Sequence, residues 1–155
     1  MQIDKQIGEI SISQPRQETV KIFTFNRIFT EEPQSEFVTE LCNPILEKAL
    51  IQKQGSLIFS YGVTNSGKTY TILGNNEQPG ILPYLIEKMG KDHEVLVSAI
   101  ELYNDEFFSL TNKDKLSPKE QNGFMDFTQC MISEPITPAN MADKIKKFIA
   151  NRTQN

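Results

Sequence analysis

Leu57-Ile-Phe-Ser-Tyr-Gly62-Val-Thr-Asn-Ser-Gly67-Lys68-Thr69 decides how this chain is read. A short apolar run rich in β-formers leads into Gly62, and residues 62–69 match G-x-x-x-x-G-K-[ST] at every fixed position. Gly62 and Gly67 allow backbone turns that a side chain would block, so successive N–H groups can face an anion. A helix starting near Lys68 adds its positive dipole end beneath the phosphates. Lys68 is placed to reach the β- and γ-phosphates, and the Thr69 hydroxyl to ligate Mg²⁺. The competing reading is a glycine-containing strand–helix turn that fits the pattern by chance. With a strand expected before and a helix after, the spacing points to a nucleoside triphosphate with Mg²⁺ on Gly62, Val63, Thr64, Asn65, Ser66, Gly67, Lys68 and Thr69, with Thr69 on the metal.

Outside this stretch the composition is that of an ordinary globular chain. The 155 residues are 38% hydrophobic and 23% charged, with a net charge of −4. No basic excess exists to neutralise nucleic-acid phosphates, so general nucleic-acid binding is not expected. Cys42 and Cys130 lie far apart without metal-ligand spacing and read as small buried groups in a reducing compartment. Asp4, Lys5 and Glu9 leave no signal-peptide core at the N-terminus, and no run approaches the roughly 20 apolar residues of a membrane helix. A cytoplasmic protein without a membrane partner is the expectation, and its size is that of one domain.

Around the loop, the apolar spacing alternates between helix and strand. Ile10 and Ile12, then Val20, Ile22, Phe23 and Phe25, predict two strands around the break at Gln14-Pro15-Arg16. Ser35 is expected to cap a helix reaching about Lys53, with Phe37, Leu41, Ile45 and Ala49 at four-residue steps on its core stripe, Val38, Cys42, Leu46 and Leu50 beside them, and Pro44 bending it or delaying its start. Gly55 then ends the helix, and Ser56 to Tyr61 read as the strand feeding the loop. Tyr70 to Leu73 continue the helix after the loop, residues 75–80 form a polar break, and Leu82 to Met89 form the next helix. The apolar run Val95 to Tyr103 predicts a central strand buried on both faces, adjacent to 55–61. His93 reads as exposed, 112–123 as a mobile polar loop and Phe124 to Ile132 as a strand. Residues 139–150 predict a helix with Met141, Ile145, Phe148 and Ile149 on one face and Lys144, Lys146 and Lys147 opposite on a solvated face.

Several of these segments also resemble a known family. Tyr61-Gly-Val-Thr-Asn-Ser-Gly-Lys-Thr-Tyr-Thr71, followed by Gly74 and Gly80-Ile-Leu-Pro83, strongly resembles the kinesin motor domain around its phosphate loop. Phe23-Thr-Phe-Asn-Arg-Ile-Phe29 upstream and Glu101-Leu-Tyr-Asn-Asp105 downstream are similar to two further segments of that family, in the same order. The Val63-Thr64-Asn65 version of the loop is most similar to the branch that works in the central spindle and cytokinesis. The resemblance implies a three-layer α/β P-loop NTPase fold of the kinesin motor type, incomplete, with the N-terminal half of the sheet and its flanking helices. It implies a partial motor domain over 1–155, ATP or ADP with Mg²⁺ as cofactors, tubulin in microtubules as partner, and a place in the cytoplasm on the cytoskeleton or spindle. Tyr70 matches the position whose ring stacks on adenine, and Glu101 a structural rather than a metal-binding acid.

The chain also departs from the family pattern. Nothing matches the family's Arg-x-Arg-Pro base clamp, Gln14-Pro15-Arg16 being a poor substitute, and Tyr84 stands where arginine is usual. Asn151-Arg152 resembles the approach to the first switch, and neither switch segment occurs before Asn155. No residue reads as catalytic, and these 155 residues alone are expected not to hydrolyse ATP at a motor-like rate. The alternative is a non-catalytic fragment that acts through protein contacts. An unrelated P-loop kinase or ATPase is disfavoured by the flanking segments.

Overall fold

Pro33 opens the first helix by geometry rather than by a side-chain cap. Its φ of −60° suits the cap position, and its carbonyl accepts the N–H groups of Glu36 (3.0 Å) and Phe37 (3.3 Å). The helix α1, Gln34–Leu50, therefore starts before Ser35, which caps nothing. It runs through Pro44 and ends short of Lys53, whose φ of 55° has already left helical space. The expected start and stop are corrected accordingly. The expected stripe holds: Val38 and Cys42 are buried against Ile81, with Phe37, Leu41, Ile58, Ile72, Tyr84 and Leu85 packed around them. This cluster joins α1 to α2, Lys68–Leu73, and α3, Ile81–Met89, and it is the core beneath the loop. Tyr84 ties α3 back to α1 through its hydroxyl, 2.9 Å from Asn43 Oδ1, and Lys88 lies over its ring.

The computed structural model describes residues 1–13, 19–75, 77–128 and 133–152. Among them the N-terminal part is a three-stranded antiparallel meander: β1, Gln2–Asp4, β2, Glu9–Ser13, and β3, Val20–Thr24, with Ile10 opposite Phe23. The two strands expected here are β2 and β3; their connecting break at Gln14-Pro15-Arg16 lies outside the described residues, as does Cys130. The run 95–103 is not one central strand. It divides into β4, Val95–Val97, and β5, Ile100–Tyr103, which join different sheets. β5 pairs with β6, Glu106–Ser109, around Asn104 and Asp105, both at positive φ, and β6 pairs with β7, Lys115–Leu116. β8, Lys119–Gln121, and β9, Phe124–Asp126, follow as a hairpin closed by Asn122-Gly123, with φ of 53° and 78°. That dipeptide is a strong two-residue hairpin signal, so the expected mobile loop at 112–123 is corrected to strands and turns. β4 takes β10, Glu134–Ile136, as partner, and α4, Met141–Asn151, follows with Phe148 buried. Lys144, expected on the solvated face, is half-buried in an ion pair with Glu134.

The segment 55–61 has no ladder partner among the described residues and is not assigned as strand, contrary to expectation. Its side chains still alternate: Leu57, Phe59 and Tyr61 are 86%, 77% and 95% exposed, while Ile58 packs on the core. A strand is a pairing property, so alternation without hydrogen-bonded neighbours leaves the segment irregular. Among the described residues no ladder joins 55–61 to 94–103, contrary to expectation.

Gly74 closes α2 and turns the chain toward α3. At φ 73° and ψ −155° it occupies a region open essentially to glycine alone, and a Cβ there would lie 2.2 Å from the Gln78 carbonyl oxygen. Gly74→Ala is expected to destabilise the fold by about 1–3 kcal/mol, the cost of such a conformation for an L-residue. A urea midpoint unchanged from wild type would refute this.

Candidate phosphate-binding loop

The loop 62–67 gets its shape from two left-handed residues. Asn65 has φ of 64° and Gly67 φ of 88°, the latter at the N-cap of α2. Asparagine tolerates this conformation better than most residues, and glycine adopts it without steric cost. Ser66 donates its N–H to the Val63 carbonyl (3.2 Å) and Thr71 to the Gly67 carbonyl (2.8 Å), which fixes the turn and the first helical step. A Cβ on Gly62 would fall 2.5 Å from Ser66 Oγ, so a side chain there would displace the Ser66 hydroxyl.

Lys68 is directed into this loop. Its Nζ lies 3.0 Å from the Gly62 carbonyl oxygen and 2.7 Å from that of Val63. Asn65, Gly67, Lys68, Thr69 and Tyr70 line one hollow of about 290 Å³. Of the expected residues these five are thus brought together. Gly62 and Val63 hold the lysine through their carbonyls, Ser66 braces the turn, and Thr64 sits in the exposed turn itself. Among the described residues no group of three histidine, cysteine or acidic side chains could hold a metal. A Mg²⁺ ion here would take the Thr69 hydroxyl and phosphate oxygens, a ligand set that this ion commonly accepts.

Glu101 and His93 lie elsewhere in the fold. Glu101 sits on β5, nearly buried, with Arg152 Nε 3.7 Å from its carboxylate, as a structural acid would. His93 is exposed in the turn after α3.

Beside the loop lies a larger cavity that the sequence did not disclose. It is an open hollow of about 440 Å³ between the segment preceding α1 and the start of α2, with Phe29, Glu32, Gln34, Phe37, Tyr70 and Gln78 on its walls. Tyr70 is common to both hollows. Gln34 Nε2 donates to the Tyr70 carbonyl at 2.9 Å, and the Tyr70 hydroxyl donates to Gln78 Oε1 at 2.8 Å. Local sequence patterns carry no signal for this contact, since Gln34 and Tyr70 are 36 residues apart.

Glu32 is the most perturbed carboxylate of this wall. The Lys5 ammonium at 2.7 Å, then the Thr30 N–H at 2.6 Å, hold it at about 2 against an ordinary value of 4.5. A folded-state pKa below the unfolded one means the contribution is fully present above about 4.5 and is lost as the pH falls toward 2. The stability difference between wild type and Glu32→Gln, followed by urea unfolding, is therefore expected to shrink between pH 5 and pH 3. A difference constant over that window would contradict the pairing.

The comparisons agree with this geometry. A family model described as the kinesin motor domain matches residues 2–147. The chain belongs to the kinesin motor domain family. Kinesin-related protein 7 of Dictyostelium discoideum is 37% identical over 120 residues, covering 65% of this chain and 10% of that protein. Kinesin-like protein KIP3 of Saccharomyces cerevisiae is 30% identical over 148 residues, covering 84% of this chain and 18% of the relative. A solved KIF14 dimer, described as two-heads-bound with AMP-PNP and in complex with a microtubule, superposes with a TM-score of 0.82 at 22% identity, over 97% of this chain and 48% of that one. The chain thus spans about half of the solved motor and less than a fifth of these two curated relatives.

The fold is accordingly an α/β P-loop arrangement of the kinesin motor type, in part. The Cα path follows a kinesin motor although the ladders among the described residues form four short, separate sheets. The kinesin motor family is one of microtubule motors that bind nucleotide with Mg²⁺.

Proposed function

We propose that residues 1–155 form the nucleotide-binding part of a kinesin-type motor domain, taking Mg-ATP or Mg-ADP on Gly62, Val63, Thr64, Asn65, Ser66, Gly67, Lys68 and Thr69. The observation that carries this reading is the Lys68 ammonium folded into a loop shaped by left-handed Asn65 and Gly67. A cation poised over backbone that can turn its N–H groups inward suits a di- or triphosphate and little else. The Thr69 hydroxyl supplies the protein ligand to Mg²⁺, and the Tyr70 ring faces the base. Tubulin is the partner that the family and the microtubule-bound neighbour support, with a cytoplasmic, cytoskeletal place following from it. The similarity to the central-spindle branch rests on Val63, Thr64 and Asn65 alone.

The test is calorimetric titration of residues 1–155 with ADP, with and without Mg²⁺. Wild type is expected to bind more tightly with Mg²⁺. Thr69→Ala is expected to lose that enhancement while retaining the metal-free affinity. An equal response to Mg²⁺ in both proteins would remove Thr69 from the metal.

A further inference from the structure

The segment 55–61 runs into the phosphate loop with its backbone unpaired. Among the described residues none of its N–H or carbonyl groups has a hydrogen-bond partner, and it joins no ladder. Leu57, Phe59 and Tyr61 project outward almost fully exposed, while Ile58 packs on the core beneath. No charged residue and no proline falls between Lys53 and Lys68, so the segment lacks the devices that keep open strand edges apart. An open hollow of about 290 Å³ lies along it, against Phe37, Leu41 and Ile45 of α1. Free backbone groups, alternating side chains and the absence of charge together make this segment a template for a further strand.

We propose that this segment is an interface between two copies of the chain, paired antiparallel about a two-fold axis at Phe59. In that register Phe59 lies opposite Phe59 and Leu57 opposite Tyr61 on one face, and Ile58 opposite Ser60 on the other. Cross-strand aromatic pairs of this kind stabilise a sheet. A second copy suits the segment because the contact is uncharged on both sides. Each chain carries a net charge of −4, yet identical segments meet here without like-charge repulsion. The outward side chains, their backbone and the adjoining hollow offer on the order of 600 Å² per copy, about 1,200 Å² in the pair, which reaches the lower bound of stable interfaces. The same patch serves both copies, so the contact closes at two. Pairing also supplies the ladder whose absence leaves the segment irregular in one copy. The inference does not depend on nucleotide binding.

The experiment is sedimentation of residues 1–155 over a concentration series, beside amide hydrogen exchange at the same concentrations. The mass is expected to rise to that of two copies and level off, with the amides of 57–61 gaining protection over the same range. Phe59→Glu and Leu57→Glu are each expected to raise the dissociation constant about 10²-fold or more, because each pair loses the apolar side chain twice and gains two like charges. Both side chains are exposed in one copy, so the variants should keep the circular dichroism of wild type. A single-copy mass throughout, or growth without a plateau at two, overturns the proposal. So does a pair that forms undiminished in both variants, or one that leaves the amides of 57–61 unprotected. Protection of these amides only when the chain is joined to the half of a kinesin motor domain that carries the switches, with residues 1–155 monomeric, overturns it too. The rest of a motor domain, and not a second copy, would then cover the segment.

Discussion

Lys68→Ala is expected to lower the affinity of residues 1–155 for Mg-ADP or Mg-ATP by about 10²–10⁴. The side chain already sits within the loop, 3.0 and 2.7 Å from the Gly62 and Val63 carbonyl oxygens. Bound phosphates would draw its ammonium away from these two neutral acceptors to two anionic ones. Hydrogen bonds to charged groups contribute about 1.5–3 kcal/mol each, and every 1.4 kcal/mol is about tenfold in affinity. Two such contacts account for the range. The left-handed Asn65 and Gly67 and the Ser66 N–H bond to Val63 remain available to the variant, which loses only the two bonds from Nζ to the Gly62 and Val63 carbonyls. Titration of wild type and variant, with matching circular dichroism, measures the effect. Affinities equal within a factor of two would show that phosphates bind elsewhere.

The second expected result concerns turnover. Residues 1–155 are expected to hydrolyse ATP no faster than their Lys68→Ala variant, with or without microtubules. A loop that ligates phosphates holds the bound nucleotide and the transition state about equally, and uniform binding of this kind does not raise the rate constant. Acceleration requires groups that act as charge moves onto the attacking and leaving oxygens. Glu101 is paired with Arg152, and His93 is exposed beyond α3. In related phosphoryl-transfer sites such a contribution changes the rate by about 10³–10⁵. The comparison is a steady-state phosphate-release assay on residues 1–155, on Lys68→Ala, and on the same chain joined to the switch-bearing half of a kinesin motor domain. Only the joined chain should show microtubule-stimulated turnover. Stimulated turnover by residues 1–155 above the Lys68→Ala background would mean that their own side chains, or tubulin, act on the attacking and leaving oxygens.

What the sequence determined by itself is everything whose cause is local. The loop 62–69 turns through left-handed backbone at Asn65 and Gly67, residue types that tolerate it, and a short helix follows. The apolar stripe of α1 at Val38 and Cys42 and the α3 positions Ile81 and Ile86 are buried as their spacing requires, because helical period and burial are set within one element. Asn122-Gly123 was equally local, and its hairpin was legible in principle.

Tertiary structure decided the features that depend on partners distant in the chain. Val95–Val97 joins Glu134–Ile136 while Ile100–Tyr103 joins the next hairpin, so one apolar run serves two sheets. The same kind of run before the loop, with Leu57, Phe59 and Tyr61 facing outward, stays irregular because no described segment pairs with it. Lys144 leaves the solvated face for Glu134, ten residues away. Gln34 reaches Tyr70 across 36 residues and makes the cavity beside the loop. Helical period and turn chemistry act over a few residues and can be read from them. Strand pairing, ion pairs across elements and cavities depend on which surfaces meet, and packing of the whole chain settles that.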